Sequence, residues 1–203
     1  MLIRKMQADG RHRAGIPYLN QEMANILAAV EQETGDLALA QSIYFSPTAL
    51  THIKRLIDMG GSIITDTTLV ANDIGADLLG GKGAKVLCFI DDPQVVMLAE
   101  QRRVTRAEVA VDYGLAVPGP KLMVVGSAPA AINRLIQRRM HEPMSDVCVL
   151  AAPSGFASAV QLKERLLDSD LASIIARGKK GGIPATVTLL NAILREISGK
   201  NPA

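Results

Sequence analysis

Five short apolar runs recur along the chain: SIITD (62–66), AKVLCFI (84–90), KLMVVGS (121–127), DVCVLAA (146–152) and ASIIAR (172–177). Each is too short for a buried helix and most are rich in β-branched residues, so each predicts a strand. Their hydrophobicity is continuous, not alternating, which is the pattern of strands buried on both faces of a parallel sheet. Between them lie stretches with apolar residues at helical spacing. These are TTLVANDIG (67–75), PQVVMLAEQRR (93–103), TRAEVAVDYGL (105–115), PAAINRLIQRRM (129–140), GFASAVQLKERLLDS (155–169) and PATVTLLNAILREIS (184–198). Two more helices are predicted upstream. One is NQEMANILAAVEQ (20–32), with Asn20 as N-cap. The other is FSPTALTHIKRLIDMGG (45–61), with Ser46 as cap, Pro47 in the first turn and Gly60 and Gly61 at the end.

Alternating strands and helices predict a three-layer α/β/α fold with a mainly parallel central sheet of about five strands. The length suits a single α/β domain over 1–203, with 1–16 as a loose basic leader. Aromatics make up only 3 %, so the core falls to Ile, Leu, Val, Ala and Met, and base stacking is a poor mode of binding. A net charge of +2 is too balanced for a dedicated nucleic-acid binder. No run approaches the ~18 apolar residues of a membrane span, and the leader lacks the apolar segment of a signal peptide. Cys88 and Cys148 both sit in apolar runs and read as buried thiols of a reducing compartment. These features predict a cytoplasmic protein.

In parallel sheets ligands bind beyond the carboxyl ends of the strands. Here those junctions read TDTT, FIDDP, VGSAP, APSGF and RGKKGG. Free amides at helix starts favour anions, and ARGKKGG (176–182) adds two lysines. It lacks the order of a phosphate-binding P-loop, and is either an anion site or a solvated glycine turn. Asp91 and Asp92 are either helix caps or a metal-binding or acid–base pair. Asp66 is either a cap or a hydrogen-bonding carboxylate. Ser154 follows Pro153, so APSGF is not a nucleophile elbow. His12, His52 and His141 lie away from every junction and read as structural or solvated, and no metal-ligand spacing is present.

Taken in order, FSPTAL, DTTLVANDI, TRAEVA, VVGSAPAAINRLI, APSGFASAVQLKERL and ARGKKGGIPATVTLLNAI resemble the precorrin-8X methylmutase (precorrin isomerase) family. Its motifs run FSP-x-A, D-x-x-M-V-x-x-G-I, T-R-S, G-N-A-P-T-A-L, V-G-F-V-x-A-x-E-S-K and R-G-x-K-G-G. The match spans about residues 34 to 195. The resemblance implies an isomerase of cobalamin biosynthesis that converts precorrin-8X to hydrogenobyrinic acid by moving a methyl group between neighbouring macrocycle carbons. It implies no cofactor, a corrin-type substrate with or without cobalt, and a homodimer with the macrocycle near the subunit interface. It assigns substrate carboxylates to Arg106, beside Thr105, and to Lys179 and Lys180, with Asp66, Ser127, Gly155, Gly181 and Gly182 on the same rim.

The resemblance also shows departures. The family's catalytic histidine, in R-x-x-H-x-x-G-D, falls on Gln32, and the preceding arginine falls on Ala29. The family's asparagine is Ser127, the serine after K-G-G is Ile183, and the leader shows no counterpart to the family's Ser-Phe pair. Glutamine is no general acid near neutral pH, though it donates hydrogen bonds. Gln32 therefore either faces a ring nitrogen or is a solvent-facing helix residue. The alternative function is a catalytically inactive corrinoid-binding homologue, a carrier or sensor.

Overall fold

The computed structural model describes residues 19–200 except Gly80, Lys82 and Phe156. The basic leader and His12 lie outside the described residues. Six strands form one sheet: β1 (Ile43–Phe45), β2 (Ser62–Thr65), β3 (Lys85–Cys88), β4 (Lys121–Val125), β5 (Val147–Ala151) and β6 (Ala172–Ala176). Their order is β1-β6-β5-β4-β2-β3. All pairs are parallel except β1 with β6, where Ile43 faces Ala176 and Phe45 faces Ile174.

The central strands β4, β5 and β6 are buried at every position, as continuous apolar runs require. Alternate residues serve opposite faces. Leu122, Val124, Leu150 and Ile174 join one core, and Met123, Val125, Val149 and Ile175 the other. The first core is closed by α1 (Gln21–Thr34), α2 (Leu37–Ser42), α3 (Ala49–Asp58), α4 (Thr68–Asn72) and α9 (Ile183–Ser198). The second is closed by α6 (Arg106–Ala116), α7 (Pro129–His141) and α8 (Ala157–Leu167). Helix α5 (Pro93–Arg102) packs on α6 through Val95, Ala99, Val109 and Ala110. Fully burying one such Leu, Ile or Val side chain contributes about 1.5–3 kcal/mol.

Two predicted features are corrected. Ser46 does not cap a helix. Its N–H donates to Ser173 O and its Oγ accepts from Ser173 N, both at 2.8 Å, so it prolongs the β1–β6 ladder. Helix α3 therefore starts later, at Ala49, with Thr48 as an N-cap that makes no side-chain bond. Of the two aspartates after β3, only Asp92 caps α5, accepting from Gln94 N at 2.8 Å. Asp91 instead faces Arg106.

The carboxyl ends of β2 to β6 share one edge. Antiparallel β1 begins there too, since Arg177 N, just past β6, donates to Ser42 O. That edge brings the five junctions and the α1–α2 turn together.

Candidate functional site at the carboxyl edge of the sheet

Asp66 ends β2 and is 6 % exposed. Its Oδ1 accepts from Gly126 N at 3.1 Å, and its Oδ2 from Ser127 N and Ala128 N, both at 2.8 Å. Helix α7 has no side-chain cap of its own, because its N-cap is Ala128. Asp66 supplies that cap from a neighbouring strand, placing negative charge at the positive end of the helix. Burial raises its pKa, and the three amides work against that rise. The carboxylate is saturated by backbone donors and fixes the Gly126–Ala128 turn. Ser127 is exposed on that turn, and its hydroxyl finds no protein partner among the described residues.

The next two junctions lock into each other. Gly155 N donates to Lys179 O at 2.9 Å, and Gly182 N to Ala152 O at 2.7 Å. Gly181 has φ +143°, and a Cβ there would sit 2.1 Å from Ala152 O. Only glycine lets the two backbones meet this closely. Lys163 of α8 is fully buried beneath them, and its Nζ donates to Pro153 O at 3.0 Å and Lys180 O at 3.3 Å. Burial lowers its pKa to about 8. Gly126 reaches the same place, since a Cβ there would lie 3.0 Å from Thr186 Oγ1 on α9. One continuous rim thus runs from Ser127 to Gly182.

The lysines of the rim differ. Lys180 Nζ donates to Asp36 Oδ1 at 2.6 Å, and Asp36 also caps α2 through Leu39 N. The Lys180 hydrogen bond lowers the Asp36 pKa below its ordinary value. Lys179 is exposed and has no ion pair among the described residues. At the far side, Thr105 caps α6 in a reciprocal box with Glu108, so its hydroxyl is committed. Arg106 is half exposed and only 3.7 Å from the exposed Asp91, which leaves its guanidinium fork open to solvent. Its neighbour Ala107 shares a small apolar cavity with Thr65, Asp66 and Val125, so the start of α6 lies beside the Asp66 turn. At about 10 Å³ the cavity has room for one water.

Gln32 lies apart from this rim. It is exposed on α1 and lines a groove of about 270 Å³ between α1 and α9, with Asn25, Ala29, Glu33, Ala192, Arg195 and Glu196. No rim residue lines that groove, though α9, which leaves the rim at Gly182, forms one of its walls. The ring nitrogens of His52 face Thr48 O and Ser145 O at 3.0 and 2.9 Å, a structural role. Cys148 is buried, with its thiol pKa pushed up to about 12 by burial, and Cys88 is half-buried. No cluster of potential metal ligands occurs among the described residues.

Sequence reasoning missed Lys163 and the partnership of Asp36. Lys163 stands on the buried stripe Ala159–Lys163–Leu166 of α8. It also occupies the lysine of the family's E-S-K.

The precorrin-8X methylmutase family model matches residues 4–196. The cobalt-precorrin-8 methylmutase of Salmonella typhimurium is 33 % identical over 170 residues, covering 83 % of this chain and 79 % of the relative. That of Methanothermobacter thermautotrophicus is 30 % identical, covering 83 % and 78 %. The solved precorrin-8X methyl mutase of Thermus thermophilus has the same fold, with a TM-score of 0.80 and 24 % identity over 98 % of this chain and 94 % of that one. The chain belongs to the precorrin-8X methylmutase family. No helix among the described residues is long and apolar enough to cross a membrane.

Proposed function

We infer that this chain is an isomerase of cobalamin biosynthesis that moves a methyl group between neighbouring carbons of a corrin-type macrocycle. Family membership across residues 4–196 carries this reading. The solvent-facing guanidinium of Arg106, the exposed Lys179 and the exposed Ser127 on one edge support it, since a macrocycle fringed with carboxylates needs spaced cationic and polar contacts. Substrate carboxylates take Arg106 and Lys179 directly. A carboxylate at Lys180 competes with Asp36. Asp66 acts by holding the turn that carries Ser127, not by touching a substrate anion. Thr105, Gly155, Gly181 and Gly182 shape the rim. The reaction rearranges one molecule, so it draws on no cofactor, and any cobalt present belongs to the substrate. The working form is a cytoplasmic homodimer that handles no nucleic acid.

At the position of the family histidine, Gln32 offers an amide hydrogen bond but no transferable proton near neutral pH. A positioned general acid contributes typically ~10²–10⁴-fold. The test is single-turnover conversion of precorrin-8X, followed by absorbance, for wild type and Gln32→His. Slow turnover by wild type, raised by Gln32→His, is expected. A fast wild type left unchanged or slowed by the substitution refutes the role of Gln32. Binding without turnover by either protein identifies a corrinoid carrier instead.

A further inference from the structure

Lys163 is 0 % exposed, yet it carries an ammonium group with no carboxylate partner among the described residues. The carboxylate next to it in sequence, Glu164, is engaged by Arg177 at 2.9 and 3.2 Å. Burying an unpaired cation is costly, and an apolar side chain of similar length would fill the site without that cost. Among the described residues its hydrogen bonds go to two carbonyls, Pro153 O from the β5–α8 loop and Lys180 O from the β6–α9 loop, while Glu164 adds a longer-range attraction. Each carbonyl belongs to a trans peptide. In a planar trans peptide the C=O and the N–H point to opposite sides. Turning the Pro153 and Lys180 carbonyls in toward the ammonium therefore turns the Ser154 and Gly181 amides out. Neither amide finds an acceptor among the described residues, whereas the adjacent Gly155 and Gly182 amides are spent on clamping the two loops together.

We propose that Lys163 is a positioning residue, holding these two peptides so that the Ser154 and Gly181 N–H groups face outward as paired donors to one carboxylate of the substrate. The inference rests on the corrin reading given above and identifies which backbone donors act in it. The positive end of each oriented peptide points outward, and Lys163 lies behind both, so dipoles and charge favour an anion at the same place. Lys179 stands beside the pair as an exposed counter-charge.

The test uses full-length wild type, Lys163→Met and Lys163→Gln. Visible-absorbance titrations are run with hydrogenobyrinic acid and with a derivative whose side-chain carboxylates are all neutral amides. The Met variant is expected to bind the acid at least about tenfold more weakly, the scale of lost hydrogen bonds to a charged group. Its affinity for the amide should stay within about threefold, and Gln should recover part of the loss for the acid. A general loosening of the loops would weaken both ligands alike, and equal losses, or none, overturn the proposal. Should Lys163→Met fail to fold, the acid-to-amide affinity ratio of wild type is compared at pH 7 and pH 9, where burial makes Lys163 lose its proton. The ratio should fall in wild type and hold in Lys163→Gln. That variant serves as the reference for Glu164, Arg177, Lys179, Lys180 and Asp36, the other charged groups near the two loops. A ratio flat in wild type also overturns the proposal. A wild type that binds neither ligand is a different failure. It removes the corrin reading, and the proposal falls with it.

Discussion

Replacing Gly181 by alanine should be among the most damaging single-methyl changes in this protein. Two effects add. First, φ is +143°, a region that L residues avoid at a cost of order 1–3 kcal/mol. Second, the new Cβ would stand 2.1 Å from Ala152 O and 2.9 Å from Ala152 C, both backbone atoms that cannot rotate away. Bringing the oxygen contact out to a normal distance of at least ~3 Å moves one loop by roughly 1 Å. The Gly182 N to Ala152 O bond, now 2.7 Å, would then pass beyond hydrogen-bonding distance. A buried carbonyl would be left unpaired, at about 1–3 kcal/mol. The total is about 2–6 kcal/mol. Gly155→Ala separates the two effects, because Gly155 has φ +127° but open space where its Cβ would point. It should show the backbone strain alone. Urea denaturation at constant m-value measures both variants. Equal losses in the two, or a loss below about 1 kcal/mol for Gly181→Ala, would refute the interlocked-loop reading.

Two further outcomes concern pH. Lys163 has a folded pKa near 8, below the ordinary 10.5, so between those values the unfolded chain holds more protons than the folded one. Wild-type stability relative to Lys163→Met should therefore rise as pH goes from 8 to 10.5, read by urea midpoints at pH 7.5 and 10, even as affinity for the anionic ligand falls. Asp36 has a lowered pKa through Lys180, so its contribution is present above pH 3.8 and lost as pH falls below it. Lys180→Ala should move the Asp36 carboxyl titration back up toward 3.8, observed by NMR.

How much of this was legible in the sequence depended on how local each signal was. The five parallel strands showed because their apolar runs are five to seven residues long and flanked by helical periodicity. Strand β1 did not, because Ile43–Phe45 is three residues and pairs with β6 some 130 positions away. Helix α2, at six residues, is too short to display a period. Ser46 carried a good capping signal that tertiary pairing with Ser173 overrode. The rim residues were found from junction position and family motif, but their states were not. That Lys180 is engaged, Lys179 has no ion pair among the described residues and Asp66 is saturated depends on Asp36 and on the amides of residues 126–128, which only folding brings near. Lys163 hid behind its own chemistry, since a lysine in a charged helix reads as solvated until its neighbours Ala159 and Leu166 prove buried.

The carboxyl edge satisfies two of its own demands for anions, and it does so differently. Asp66 is buried, receives three amides and anchors α7, so those amides are already spent and offer nothing to an incoming carboxylate. Asp36 is half-buried and holds Lys180, which is exposed, through a pair at the surface. Such pairs are worth little in water, so a carboxylate presented by a large bound ligand can exchange for it. The first contact therefore gives the edge its shape, and the second keeps a cation in place until a ligand arrives. Asp36 also caps α2 and follows the last turn of α1, where Gln32 sits. An exchange at Lys180 would release Asp36 just beyond the helix that bears Gln32, while α9 runs from the rim at Gly182 to Ala192 and Arg195 in the same groove, so rim and groove share two elements.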